Sequence, residues 1–416
     1  MIKSPLTAAS TLTGCWLAGR SKTLKVAGGR RLSGGGITVD CIRADGLTAA
    51  ERDLWAAWRA ASARYYSPYF DLRFVETAAA ICPQAGIAVL HRAGAVHGFL
   101  PFQRRGAVIQ PLGAPLSDYH GIICAPAGAA PLAEVVHALG ADRFRFNSLV
   151  SAQPPPGVVA RPAMISDLAG GYDTYLERRR AQGGGGFLKD KRRRLSMLER
   201  EHGPVSFEFS AHQPEVLDLI VSMKSAQLRR TGQHDIFACG WTVRLLETLA
   251  QGDHADFGVR VAALRVGDRV IAAEAGLLSG DVHHLWFPVY DAAFARYSPG
   301  ALMTLETLKA CAAAGVTTVD FGAAGESYKN DFTEPGQTIY EGAAHAWGGA
   351  GLGILQKRLM KLDRRLDRIV ACETQLPARA VALSRFAGAI AQRHPRLTLA
   401  AGISLGLGLG AGLLSD

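Results

Sequence analysis

Several side chains stand where their types and spacing could move protons or hold charge. His283 and His284 are adjacent in HHLWFPVY, a run of aromatic and β-branched residues at 283–290. Strand alternation puts Val282, His284, Trp286 and Pro288 on one face and His283, Leu285, Phe287 and Val289 on the other, so the two imidazoles point opposite ways. His284 shares its face with Trp286 and is the candidate proton relay; a satisfied core histidine is the competing reading. Glu274 sits in AAEAG, and an acid in so apolar a run needs a chemical task or a cationic partner: it could deprotonate an amine or pair with a histidine. Ser298, Pro299 and Gly300 open a helix. Unpaired amides and the helix dipole favour an anion there, with Gly300 letting a phosphate approach the backbone, although an ordinary strand-to-helix connection has the same signature. Asp118, Tyr119 and His120 cluster in GAPLSDYH, which reads locally as an Asp turn. Cys239, between Phe237 and Gly240-Trp241, is either in a substrate loop or an inert buried thiol.

The elements that must position these residues follow from periodicity. The strand at 283–290 leads through a polar, aromatic connection to a helix with Ser298 as N-cap, Pro299 in the first turn and Leu302, Leu305 and Leu308 at helical spacing. Gly315 ends it, 316–321 forms a second short strand, and Gly322 and Gly325 break that strand before Tyr328, Lys329 and Phe332. Such a crossover joins parallel neighbours, so the helix N-terminus emerges beside a strand's carboxyl end. Upstream, the pattern predicts a helix at 48–62, a hairpin of 87–92 and 96–104 about Ala93-Gly94, strands at 108–112, 143–149 and 161–168, and a helix at 131–139. Next come basic helices at 172–180 and 187–201 joined by a glycine loop at 183–186, a strand at 205–209, and helices at 214–230 and 241–250. Three strands at 257–266, 269–279 and 282–290 complete the approach, and closing strand material is expected at 337–347. The glycine loop reads as a hinge, since no Lys-Ser/Thr follows to make it a phosphate loop.

The runs WFPVYDAAFARYSPG and VDFGAAGESYK resemble the acyltransferase domain of CelD-type proteins, a branch of the GNAT superfamily associated with bacterial polysaccharide synthesis. YKNDF resembles the YK-x-x-F element of the FemABX aminoacyl ligases, which carry two GNAT-like halves. The resemblance spans about 41 to 345. It implies an α/β fold with mixed sheets and a tandem GNAT-like architecture, with an N-terminal GNAT-like half at 41–170 and a C-terminal acyltransferase half at 171–345; charge and hydropathy patterning adds a disordered basic leader at 1–40 and a basic amphipathic helix with an apolar tail at 346–416. In that pattern the strands 283–290 and 316–321 splay apart and admit a thioester arm. Trp286, Val289, Arg296, Tyr297, Ser298, Pro299 and Gly300 would then hold acyl-CoA, or an acyl carrier protein's arm, as co-substrate. Lys329, matching the FemABX lysine, would assist the transition state; Tyr328 would protonate the thiolate and Asp320 orient Lys329, beside His284 and Glu274. Asp118, Tyr119 and His120 would position the acceptor, because the CelD-type first half carries a similar Asp-Tyr. No metal is required. The implied reaction is acyl transfer from a thioester donor to an amine of an envelope or exopolysaccharide precursor, such as an amino sugar. A sphingolipid N-acyltransferase, and a non-catalytic nucleotide-sensing or scaffold module, are the alternatives.

Composition bounds these readings. The chain of 416 residues is 48% hydrophobic and 20% charged, as a folded protein of two domains would be. A net charge of +10 favours an anionic partner: coenzyme phosphates, an acidic carrier or an anionic membrane surface. Nucleic acid is not expected, since no nucleic-acid-binding signature accompanies the charge. Seven cysteines without a C-x-x-C pair suit a reducing cytoplasm. The apolar, glycine-rich stretch 397–414 follows Arg393, His394 and Arg396, and reads as a membrane-associated tail, a floppy tail or a packed helix. Together with the basic helix at 352–372 it leads to the expectation of a cytoplasmic protein peripheral to or anchored at the inner membrane.

Overall fold

The computed structural model describes residues 36–126, 128, 130–211, 213–252, 254–346, 365–366, 368–373 and 375–393. The leader expected up to residue 40, except its last five residues, and the apolar tail at 397–414 lie outside the described residues. Of the helix expected at 352–372, helical backbone is described at 365–366 and 368–372. Among the described residues no helix is long and apolar enough to cross a membrane.

The strands are β1 (Thr38–Ile42), β2 (Ala85–Arg92), β3 (Ala95–Arg105), β4 (Val108–Pro111), β5 (Arg143–Leu149), β6 (Val159–Asp167), β7 (Val205–Ser210), β8 (Phe257–Val266), β9 (Arg269–Ser279), β10 (Val282–Tyr290), β11 (Thr318–Ala323) and β12 (Glu334–His345). They form one mixed twelve-stranded sheet in the order β1-β2-β3-β4-β5-β12-β6-β11-β10-β9-β8-β7. The hairpin β2–β3 turns where expected, with Ala93 and Gly94 both at positive φ. The last strand crosses back over the chain: β12 lies antiparallel between β5 and β6, and β6 in turn pairs antiparallel with β11. The two halves are therefore joined through shared backbone hydrogen bonds.

The helices are α1 (Ala49–Ala60), α2 (Leu72–Ile81), α3 (Leu132–Ala138), α4 (Gly171–Arg179), α5 (Gly185–His202), α6 (Pro214–Arg230), α7 (Trp241–Gln251), α8 (Pro299–Ala313) and α9 (Leu376–Arg393). Thr48 closes a capping box with Glu51 at the start of α1. On β9, Ala273, Ala275 and Leu277 join the core with α1, α2, α6 and α7, whereas Ala272 and Leu278 join the cores with α5 and with α4 and α8. The sheet is thus covered on both faces.

Three expectations need correction. First, the glycine loop at 183–186 is helical: α4 runs into α5 through a wide turn at Arg180–Gly184, in which Gly183 alone takes a positive φ of 94°. One glycine absorbs the kink, and the flanking helices carry the others. Second, Ser298 occupies the N-cap of α8 in left-handed conformation (φ 55°, ψ 52°) and its side chain makes no capping bond. Third, a β-bulge between Leu285 and Phe287 breaks the strict alternation of β10. Trp286 and Phe287 consequently stack on one another, centroids 4.9 Å apart, and with Val289 enter the core beneath α2, α6 and α7.

Candidate active site

Two parallel strand pairs in the sheet open into forks. β10 and β11 pair only at Val282–Thr318, His283–Val319 and His284–Asp320, then part. β4 and β5 pair at Val108–Arg143 and Ile109–Phe144, then part as well. Between β4 and β5, the fork that comes first along the chain, the backbone returns: His120 bridges Leu149, Ile123 bridges Phe99, and the amide of Val150 donates to the carbonyl of His120 at 2.7 Å. No such bridge is made between β10 and β11, the second fork along the chain, among the described residues.

At the apex of the second fork the halves meet through side chains. His284 is wholly buried; its Nε2 lies 2.8 Å from Asp118 Oδ2 and its Nδ1 3.5 Å from Asp320 Oδ1. Tyr119 donates to Asp320 Oδ1 at 2.8 Å, the amide of Gly322 donates to the same oxygen at 2.6 Å, and the Tyr66 hydroxyl donates to the other. Burial alone would push the imidazole down, but its contacts with Asp118 and Asp320 raise it to about 9, so His284 is an imidazolium at neutral pH. Burial likewise opposes ionisation of Asp320, yet His284 and the Tyr66 and Gly322 hydrogen bonds hold its carboxyl below the usual range. Asp118 is the partly open member, its side chain 38% exposed. Gly322, at φ +76°, brings backbone against this pair: a Cβ there would lie 3.4 Å from Asp118 Oδ2.

His283 faces the other side of the sheet, edge-on to Phe209. Burial first, then the charges of His284 and Arg260, lowers it to about 3, so it is a neutral core imidazole. His120 is also buried and neutral, lowered to about 3 by burial, and packs on Phe144 and Phe146. The SDYH cluster is therefore divided, with Asp118 and Tyr119 turned to the second fork and His120 closing the first.

Glu274 lies on β9 beside Pro288 of β10. Its burial raises it to about 8, against the pull of His284 and Lys224, and keeps it a neutral acid at pH 7. Lys329 is buried on the short helix Ser327–Asp331; its ammonium donates to the Ala323 carbonyl at 2.9 Å and pairs with Glu326 at 2.8 Å. Asp320 is committed to His284 and the two tyrosines, and no contact joins it to Lys329 among the described residues. Tyr328 is 45% exposed, and burial of its hydroxyl with the charges of Glu274 and Glu326 pushes its phenol up. Trp286 is locked by donation from Nε1 to the Leu116 carbonyl at 2.8 Å, and Val289 is buried. Neither lines an open surface.

At the start of α8, Arg296 lies over the Tyr297 ring and pairs with Glu201, which also accepts from the Tyr297 hydroxyl at 2.7 Å. These two predicted phosphate ligands are thus engaged with α5. Instead Lys191 brings its ammonium to 3.4 Å from Ser298 Oγ, and Arg194 donates to the Arg296 carbonyl. Both cations share Asp190. With the amides near Pro299 and Gly300, they make the end of α8 suited to a diphosphate. Lys191, Arg194 and Tyr66 escaped the sequence reading. The basic run at 189–194 was visible, but which of its cations faces α8 depends on the kink at Gly183.

Residues 186–330 match the family model described as an acetyltransferase (GNAT) domain. The chain therefore carries an acyltransferase domain of the GNAT type within a mixed α/β fold. Solved structures similar to it include the C-terminal domain of a protein described as a lysylphosphatidylglycerol synthetase from Agrobacterium fabrum, 14% identical, covering 69% of this chain and 92% of that one at a TM-score of 0.43. A tandem GNAT protein from the clavulanic acid biosynthesis pathway is 12% identical, covering 74% and 98% at 0.43. FemX is 12% identical, covering 71% and 96% at 0.42. No curated protein matches.

Proposed function

We propose that the chain is an N-acyltransferase that moves an acyl group from an acyl thioester, acyl-CoA or a carrier-bound equivalent, to an amine of an envelope or exopolysaccharide precursor. The observation that carries this reading is the open fork between β10 and β11, with Asp118 and the charged His284 at its apex. The thioester arm lies along the parted strands, its diphosphate at the end of α8 by Lys191, Arg194 and Gly300. The acceptor enters from the side of the first half, where Asp118 is partly open.

Amide formation requires the amine to lose a proton and the thiolate to gain one. In this reading Asp118 receives the amine's proton as nitrogen attacks the thioester carbon. Tyr328, protonated at neutral pH, supplies the proton to the departing sulfur, and both groups re-equilibrate through water. His284 cannot be the base at neutral pH because both its nitrogens face carboxylates and it is already protonated. It acts as a positioning residue, its Nε2 orienting the Asp118 carboxyl at 2.8 Å. Lys329 fixes the β11 wall through Ala323 and places positive charge beside the developing oxyanion. Incubating the chain with acyl-CoA and a panel of amino sugars, with mass spectrometry of the products, tests the proposal: amide products with wild type and their loss with Asp118→Asn are expected. Full transfer by Asp118→Asn removes Asp118 from the chemistry, and absence of product with every donor and acceptor removes the function.

A further inference from the structure

The helix that holds the donor turn has a second face, which the proposed reaction leaves unused. Phe187, Lys191, Arg194, Leu195 and Leu198 of α5 turn inward. Phe187 packs edge-on against Phe332 with centroids 5.1 Å apart, Lys191 and Arg194 reach the start of α8, and Leu195 and Leu198 pack with Leu302 and Met303. The carboxyl end is held too, His202 Nε2 lying 2.8 Å from the Tyr297 hydroxyl. With the helix fixed in this way, Lys189, Arg192, Arg193 and Arg200 stand exposed on its opposite side. Helical rise sets the first and last of them about 16 Å apart.

Charge on this face is poorly answered from within the chain. α5 carries six cations against three acids. Asp190 is shared by Lys191, Arg193 and Arg194, and Glu201 is taken by Arg296 and the Tyr297 hydroxyl, with Arg200 3.7 Å away. Lys189 and Arg192 have no carboxylate within ion-pair distance among the described residues. The donor's phosphate has its place at the inner cations, and one phosphate group cannot lie along three turns of the outer face. That face is suited to an extended acidic surface. Among the described residues the exposed large apolar side chains are Tyr290, Tyr328, Leu376 and Val381, all away from α5. The face therefore offers no apolar anchor for a bilayer and no aromatic platform for bases. A folded acidic protein needs neither.

We infer that the outward face of α5 docks an acidic acyl carrier protein, which delivers the thioester on its phosphopantetheine arm. The inference rests on the proposed acyl transfer and narrows its donor to the carrier-bound form. The carrier lies along Lys189, Arg192, Arg193 and Arg200, and the phosphate of its arm meets Lys191 and Ser298 at the start of α8. The reaction is otherwise unchanged: the amine nitrogen bonds to the acyl carbon, the carbon–sulfur bond breaks, and the carrier leaves as its thiol. Acyl-CoA shares the arm and its phosphate but reaches none of the outer cations.

Fluorescence anisotropy of a labelled acyl carrier protein, in apo, acetyl and palmitoyl forms, reads docking on the full chain apart from transfer. The loaded carrier should bind, and more weakly as salt rises. Lys189→Glu combined with Arg192→Glu should weaken binding at least about tenfold. In transfer assays the same variant should raise KM for the acyl carrier by a similar factor and leave KM for acyl-CoA unchanged, whereas Lys191→Gln should raise both. Both substitutions are at exposed positions; melting curves confirm folding, and the single variants replace the double one if it fails to fold. No binding of any carrier form, carrier binding indifferent to both charge reversals, or equal losses with carrier and coenzyme A would each overturn the docking surface. So would binding of phosphatidylglycerol vesicles or of tRNA in the carrier's place, lost in the double variant. Docking as expected without any acyl transfer would instead overturn the proposed reaction and leave the surface standing.

Discussion

The sheet contains a parted parallel strand pair twice, and among the described residues one of the two gaps is bridged by a further segment and the other is not. In the first half β4 and β5 part after two pairs, and residues around His120 and Ile123 fill the gap with backbone hydrogen bonds. In the second half β10 and β11 part after three pairs, and the apex is lined by an imidazolium between two carboxylates. The helices that follow differ in the same sense. α8 is a 15-residue helix with Lys191 and Arg194 at its start, whereas α3 has 7 residues; neither helix has a side-chain cap at its start. The two forks thus differ in that one is bridged by a further segment, while the other gathers charge at its apex. The closed half is not idle, since its loop carries Asp118 and Tyr119 across to the open fork.

The sharpest way to break this comparison is Asp118→Asn, which keeps the shape of the contact and removes its charge. Steady-state transfer should fall by about 10²–10⁴-fold, the range for losing a positioned proton acceptor. An unchanged rate would make the two forks equivalent in chemistry. His284→Gln tests the apex as structure. It leaves Asp320 buried without its cation, so chemical denaturation should show a loss of about 3 kcal/mol or more.

Titration separates the forks by sign. The folded-state values of Glu274 and His284 are raised, to about 8 and about 9, so the native chain binds extra protons. Their stabilisation is full below the unfolded values and is lost as pH rises through the folded ones. Melting temperature should fall between neutral pH and about 9, the value for His284, and less steeply in Glu274→Gln. His120, lowered to about 3, does the reverse: it contributes stability above the usual histidine value and loses it as pH falls toward about 3. Replacing His120 by Phe should flatten the acid side of the curve and leave the alkaline side alone. The smallest effect belongs to Lys191→Gln, which should raise KM for acyl-CoA several-fold, worth about 1 kcal/mol for one charge-assisted contact, with kcat little changed.

Much of the fold was legible because its signals are local. The strands at 257–266, 269–279 and 282–290 and the helix at 214–230 run where periodicity and turns placed them. The bulge at Leu285–Phe287 was not read from the sequence, although Gly276 stands opposite Leu285 and Pro288 follows Phe287, residue types that mark irregular ladders; the partner that Trp286 finds there, the Leu116 carbonyl, lies 170 residues away. For the site, His284 and Asp118 each stood out alone. Their contact joins positions 166 residues apart and exists because β12 and β6 hold the halves together, which no spacing rule encodes. Lys329 was singled out through a short motif and lies bound to the Ala323 carbonyl; the resemblance gave Asp320 the task of orienting it, whereas strand register sets Asp320 opposite His284.

The most direct measurement is a crystal structure of the chain with a non-transferable thioether analogue of acyl-CoA. The account predicts the pantetheine arm between residues 285–290 and 320–324, with its diphosphate against Gly300 and Lys191 and its acyl carbon facing Asp118. An analogue seated between β4 and β5, or bound away from both forks with β10 and β11 closed on each other, would contradict it.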